Sequence, residues 1–289
     1  MKASVRRLGV HASIAGGIHL SLERAGELRC TTVQLFSHNP RSWRVAPIPE
    51  DGIAKFRELK AALDIYPVFI HTSYLINLAS ARPDVLERSI GLLIQEMDSA
   101  DLLGADYVVL HTGSASRDDE ETGRRRAVEA LRTVSRKSAW RSRLLLENTA
   151  GERGDISSRI IDLAGIMDRT ESGLIGGICL DTCHAFQAGY EISRREGVEE
   201  IAGEIERHMG LEKVKLIHLN DSKRTFYSRV DRHEHIGSGA IGTEGLGRFI
   251  RHPAFKDVPL ILETPKKNEN DDPRTLRIVR GLFKKGGVR

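Results

Sequence analysis

The sequence predicts a single (β/α)8 barrel, and three observations carry that reading. Eight short apolar, β-type runs recur along 289 residues, with their C-terminal ends 25 to 45 residues apart. That spacing holds one strand, one helix and two loops. No Pro/Gly/Ser-rich linker breaks the series, so residues 1–289 read as one domain of the size this barrel needs. Seven of the eight runs close on His, Asp or Glu, at the strand ends where this architecture builds its sites.

The runs, in order, are Arg7–His11, Thr32–Phe36, Pro67–His71, Tyr107–His111, Arg143–Glu147, Gly177–Asp181, Val214–His218 and Pro259–Glu263. Their near-continuous apolar character suits a parallel sheet covered on its outer face. Between them, Glu50–Leu63 sets Ile53, Phe56, Leu59 and Leu63 on one helical face. Asp84 reads as the N-cap of the next helix, with Glu87 completing a capping box. Val85, Ile90, Leu93, Ile94 and Met97 form its stripe, and Gly104 ends it. Glu120–Lys137 is a weaker, strongly basic helix, and the charged stretch Arg117–Arg126 at its start reads as a solvated face. Ile156–Met167, Ser193–Met209, Glu244–Ile250 and Pro273–Phe283 complete the helices.

The net charge of +4 and pI near 9.0 allow an anionic partner without naming one. Three cysteines without a CxxC pair exclude a disulfide framework. No N-terminal stretch reads as a signal peptide, and no run approaches the roughly 18 apolar residues of a membrane span. A cytoplasmic protein without membrane association is expected. The stretch Gly237–Gly242 formally matches GxGxxG but follows no strand directly, so no nucleotide cofactor is expected.

With 11 histidines and 40 acidic residues in the chain, about one position in six is His, Asp or Glu. Seven of eight strand ends far exceeds that rate. Loops after the sixth and seventh strands add His184, Asp231 and His233. Apart from His11, the candidates are His71, His111, Glu147, Asp181, His184, His218, Asp231, His233 and Glu263. Nine N/O donors exceed one tetrahedral zinc and suffice for two or three ions when a carboxylate bridges. Such a site suits in-line attack on a phosphate.

The stretches GVHASIAGG, FSHNPRSW, HTSYLINLA, HTGS, LENTAG, LDTCHAFQAGY, HLNDSK, VDRHEHIGSGAIG and LILETP run in order from end to end. On them the chain resembles the endonuclease IV family of apurinic/apyrimidinic (AP) endonucleases. The resemblance implies three metals, usually zinc (Zn2+), with manganese (Mn2+) able to take one or more sites. His71 and His111 would hold the first; Glu147 would bridge it to a second completed by Asp181, His218 and Glu263. His184, Asp231 and His233 would hold the third, and His11 would stand behind the ligands. Glu147 and Glu263 would be the catalytic carboxylates.

The implied reaction belongs to base excision repair. The phosphodiester 5′ to an abasic site in double-stranded DNA is hydrolysed, leaving a 3′-hydroxyl and a 5′-deoxyribose phosphate, with removal of 3′-blocking groups alongside. Arg41, Tyr74 and Leu75 match the family's DNA-inserting positions, where wedge residues fill the gap left by an extruded nucleotide. A monomer working at the nucleoid is expected. Pro40, Ala240 and the charged Glu152, Arg153 and Asp155 depart from the family pattern in DNA-facing loops. The rival readings are a metal-dependent sugar isomerase or epimerase of the xylose-isomerase-like barrel group, and a non-catalytic binder of damaged DNA.

Overall fold

Seven parallel strands come first along the chain: β1 (Leu8–Val10), β2 (Val33–Phe36), β3 (Val68–His71), β4 (Tyr107–His111), β5 (Arg143–Glu147), β6 (Ile175–Asp181) and β7 (Val214–His218). A small antiparallel hairpin follows, β8 (Asp221–Ser222) with β9 (His233–Glu234), and then the last barrel strand, β10 (Leu260–Leu262). This computed structural model describes residues 6–283; residues 1–5 and 284–289 of the 1–289 assignment lie outside it. The sheet order is β1-β10-β7-β6-β5-β4-β3-β2. A parallel bridge between His11 and Gln34 joins its two ends, with the Ala12 N–H donating to the Gln34 carbonyl at 2.7 Å. The eight strands thus form a nearly closed barrel.

Around it run α1 (Leu20–Glu27), α2 (Glu50–Ala62), α3 (Pro83–Leu103), α4 (Glu120–Ser135), α5 (Ile160–Thr170), α6 (Thr182–Ala188), α7 (Arg195–His208), α8 (Gly242–Arg251) and α9 (Asp271–Leu282). Sequence reasoning missed α1 and placed the Thr182–His184 stretch in a loop. It also misjudged the start of α3. Pro83 opens that helix at a position needing no N–H partner, so Asp84 lies inside the first turn and pairs with Arg82 at 2.8 Å, with no capping box. Leu63 falls just beyond α2 and is 40% exposed, so that helix docks chiefly through Phe56. Gly104 ends α3 with φ at +67°, as expected. Among the described residues no helix is long and apolar enough to cross a membrane.

Alternation along the strands decides where the chemistry goes. Side chains two residues apart share a face. Phe69, Val109, Leu145, Cys179, Leu216 and Ile261 form one apolar cluster inside the barrel. Their neighbours Val68, Ile70, Val108, Leu110, Leu144 and Leu146 belong to the core between sheet and helices. Two residues beyond each member of the inner cluster stands His71, His111, Glu147, Asp181, His218 or Glu263. The barrel's apolar plug therefore becomes the floor of a polar mouth.

Candidate metal centre

Among the described residues five overlapping groups of donor atoms form at that mouth, the atoms of each lying within 4.8 Å of one another, and three of them hold only N/O donors. The first is His71, His111 and Glu147. The second is Glu147, Asp181, His218 and Glu263, and the third is His184, Asp231 and His233. Glu147 belongs to two of them. These are the three sets that the sequence resemblance implied.

Hydrogen bonds at the far nitrogens of the imidazoles aim the near ones inward. His71 Nδ1 donates to the Thr72 carbonyl at 2.8 Å, and its Nε2 lies 3.3 Å from Glu147 Oε2. His111 Nε2 approaches the same oxygen at 3.0 Å. His218 Nε2 donates to Gln34 Oε1 at 2.7 Å, so Nδ1 faces Glu147 Oε1 at 2.9 Å and Glu263 Oε2 at 3.1 Å. His184 Nδ1 donates to the Asn148 carbonyl at 2.9 Å. The Nε2 atoms of His184 and His233 lie 3.3 Å apart, at 3.3 and 3.4 Å from Asp231 Oδ1.

Imidazole nitrogens and carboxylate oxygens from several residues thus converge on shared points. Glu147 Oε2 is buried and without a hydrogen-bond partner. Such an arrangement is satisfied by a cation, and the donor set of imidazole and carboxylate fits divalent zinc or manganese. Opposite charges at the mouth stabilise one another. Burial alone would raise the Glu147 carboxyl, but the His218 and His111 imidazoles outweigh it and hold it well below the usual range. Burial would likewise raise Glu263, yet His218 and the His11 hydrogen bond keep it low. His184 is pushed the other way: burial would lower it, and Asp181 and Asp231 carry it well above normal. Cys179 and Cys183 also lie near these groups, but burial drives both thiols upward, which favours an N/O site.

The other candidate residues take distinct places. His11 lines the mouth beside Glu263, with Nδ1 3.0 Å from Gln34 Nε2 and 3.6 Å from Glu263 Oε1. A cavity of about 750 Å³ opens over the groups, lined by His11, His71, His111, His184, Asp231, His233, Glu263, Phe36, Pro40 and Tyr74. Tyr74 is 66% exposed and meets Phe36 edge-on at 5.3 Å. Arg41 and Leu75 follow directly on the lining residues Pro40 and Tyr74. His235 stands apart from the third group, which His233 joins.

Three polar residues at the site escaped sequence reasoning. Asn148 brackets Asp181, donating to its carbonyl at 3.1 Å and accepting its N–H at 2.7 Å. Asn220 donates to Asp181 Oδ2 at 2.6 Å and accepts the Glu263 N–H at 2.9 Å. Asn148 directly follows Glu147 and Asn220 stands two residues after His218, a signal available in LENT and HLND. Gln34 donates to Glu263 Oε1 at 2.6 Å. It hides in the apolar run of β2, and the alternation that puts Phe36 inward would have exposed it.

Residues 22–284 match the family model described as xylose isomerase-like TIM barrel. The chain is 40% identical to probable endonuclease 4 of Halothermothrix orenii over 265 residues, 92% of this chain and 95% of that protein. The crystal structure of endonuclease IV from Thermus thermophilus superposes with a TM-score of 0.84 at 38% identity, covering 96% of this chain and 98% of that one. The chain belongs to the endonuclease IV family. A D-tagatose 3-epimerase-like protein, at 19% identity and a TM-score of 0.72 over 96% of this chain and 97% of that one, shares with this endonuclease IV family member the fold alone. The sugar-epimerase alternative is thereby reduced to a distant fold relationship.

Proposed function

We propose that this chain is a metal-dependent AP endonuclease of base excision repair, acting on double-stranded DNA 5′ to an abasic site and leaving a 3′-hydroxyl and a 5′-deoxyribose phosphate. The observation that carries the proposal is the convergence of nine donors into three groups, two of them sharing Glu147, in a member of a family named for endonuclease activity. His71 and His111, then Asp181, His218 and Glu263, then His184, Asp231 and His233 would hold three zinc ions, with manganese an alternative occupant. Bound there, the ions would activate water for in-line attack and neutralise charge on the phosphate and the leaving oxygen.

The protein's own part is positioning. Glu147 ties the first group to the second through its two oxygens. Gln34, Asn148 and Asn220 orient the donors so that little rearranges during reaction. Tyr74, Leu75 and Arg41 would occupy the gap beside an extruded abasic nucleotide, whose missing base makes extrusion cheaper than for intact DNA. The expected working form is a cytoplasmic monomer acting at the nucleoid and able to clear 3′-blocked ends.

The test is incision of an end-labelled duplex carrying one tetrahydrofuran abasic site, which cannot undergo β-elimination. A single cut 5′ to the lesion, lost on prolonged chelation and restored by zinc or manganese, is expected. Absence of a cut by metal-replete protein, with turnover of a ketose instead, would overturn the reading.

A further inference from the structure

The GxGxxG-like stretch has an occupant, and it is internal. The N–H groups of Gly237 and Gly239 donate to Asp221 Oδ2 at 2.9 and 3.0 Å. Those of Ile241 and Gly242 donate to Asp221 Oδ1 at 3.0 and 3.2 Å, and the Ser222 N–H adds a bond to Oδ1 at 2.9 Å. One fully buried carboxylate therefore accepts five backbone N–H groups, including all three glycines of the motif. A ring of amides around an anion resembles a phosphate-binding loop in physics, but here a side chain of the same protein fills it.

Position gives this cradle its meaning. Asp221 lies three residues beyond His218, in a segment locked to the barrel. Thr182 Oγ1 donates to the Asn220 carbonyl at 2.7 Å, and β8 then pairs Ser222 with His233. Between β8 and β9 the chain makes an excursion that bears Asp231, and β9 itself bears His233. The excursion is clamped at its base by the Lys223 N–H on the Arg232 carbonyl at 2.9 Å. Gln187 of α6, buried, donates to that same carbonyl at 3.2 Å and to Ser222 Oγ at 2.9 Å. On the return path the Ala240 N–H reaches the Ser222 carbonyl at 2.8 Å. Asp221 thus fixes residues 237–242 against the strand that registers His233, and α6, tied in by Gln187, supplies His184.

We propose that Asp221 is a positioning residue for the His184–Asp231–His233 group, its amide cradle transmitting the barrel's frame to the hairpin that holds two of the three donors. The other two groups stand at the ends of barrel strands, and the Asp221 carboxylate bonds to none of their residues. The inference rests on the three-metal reading above.

The test is metal content per folded chain by native mass spectrometry, with zinc titration. In Asp221→Asn an amide N–H₂ replaces one acceptor among five donors. The variant should carry two ions where the wild type carries three, with affinity at one site weakened about 10–100-fold. Added zinc should restore both the third ion and incision. Should that variant not fold, Gly239→Ala carries the same expectation, because a Cβ there would stand 2.4 Å from the Ser222 oxygen and 2.5 Å from Asp221 Oδ1. A folded variant with three ions at wild-type affinity, or one losing all three together, overturns the assignment to Asp221. A wild-type count below three overturns the three-metal reading and this inference with it, an outcome seen in the wild type before any variant is made.

Discussion

At the residue scale, imidazole and carboxylate atoms from separate strands face one another at short range across the barrel mouth. Glu263 supplies one oxygen to His218 and the other to Gln34. Glu263→Gln keeps the shape and removes the charge. It should leave the fold and DNA binding intact while cutting incision by more than the roughly 10–100-fold that loss of an outer partner costs; gel-based incision rates beside binding isotherms check this, and near-normal incision would remove Glu263 from the metal-binding role. Tyr74 reaches solvent above the cavity instead. Tyr74→Ala should reduce the preference for abasic over intact duplex in competition binding, and an unchanged ratio would return Tyr74 to packing against Phe36. A third residue tests burial outside the donor groups. Glu96 lies on the buried face of α3, 1% exposed, and burial pushes its carboxyl up to about 8 against the opposing Ser73 N–H. Its folded pKa exceeds its unfolded one, so its contribution is fully present below about pH 4.5 and is lost as pH rises through 8. Urea unfolding should therefore show Glu96→Gln gaining on wild type between pH 5 and pH 8, by on the order of 3 kcal/mol; a constant gap would mean that Glu96 titrates normally.

At the element scale the strands explain what could be read in advance. Inward alternation and strand-end chemistry made the barrel legible, and with it the six donors that stand two residues beyond the inner apolar cluster. The same alternation was not applied to β2, which is why Gln34 passed as a core position. The helix α6 was illegible for a different reason. It spans only seven residues and its N-cap is Asp181 itself, accepting the His184 N–H at 2.8 Å, so a candidate donor and a cap were one residue. Glu96 was hidden because a charged residue on an apolar stripe reads as the exposed edge, and Asp84 misled because Pro83 had already opened the helix. Strand packing also sets a stability prediction. Gly9 of β1 passes so close to β2 that a Cβ would stand 1.9 Å from the Thr32 carbonyl oxygen. Gly9→Ala must spread the strands at the seam where the barrel closes, and should cost about 3 kcal/mol in urea denaturation; a loss within about 0.5 kcal/mol would show that the seam yields freely.

At the scale of the whole molecule, one barrel brings donors from β3, β4, β5, β6 and β7, from the residue after β10, from α6 and from the hairpin to a single mouth. Groups one and two are built on the sheet, and group three is added by elements outside it. Family membership supplies the reaction class, and the arrangement of side chains supplies the reason that class suits this chain: three cation-seeking groups side by side above an apolar plug, under a cavity bordered by an exposed tyrosine. The central claim is that the nine donors act as three metal sites. Native mass spectrometry of the intact purified chain, counting bound ions, tests it most directly. The account predicts three divalent ions per chain, removed together with incision by prolonged chelation. A chain that cuts abasic duplex while holding one ion or none would contradict it.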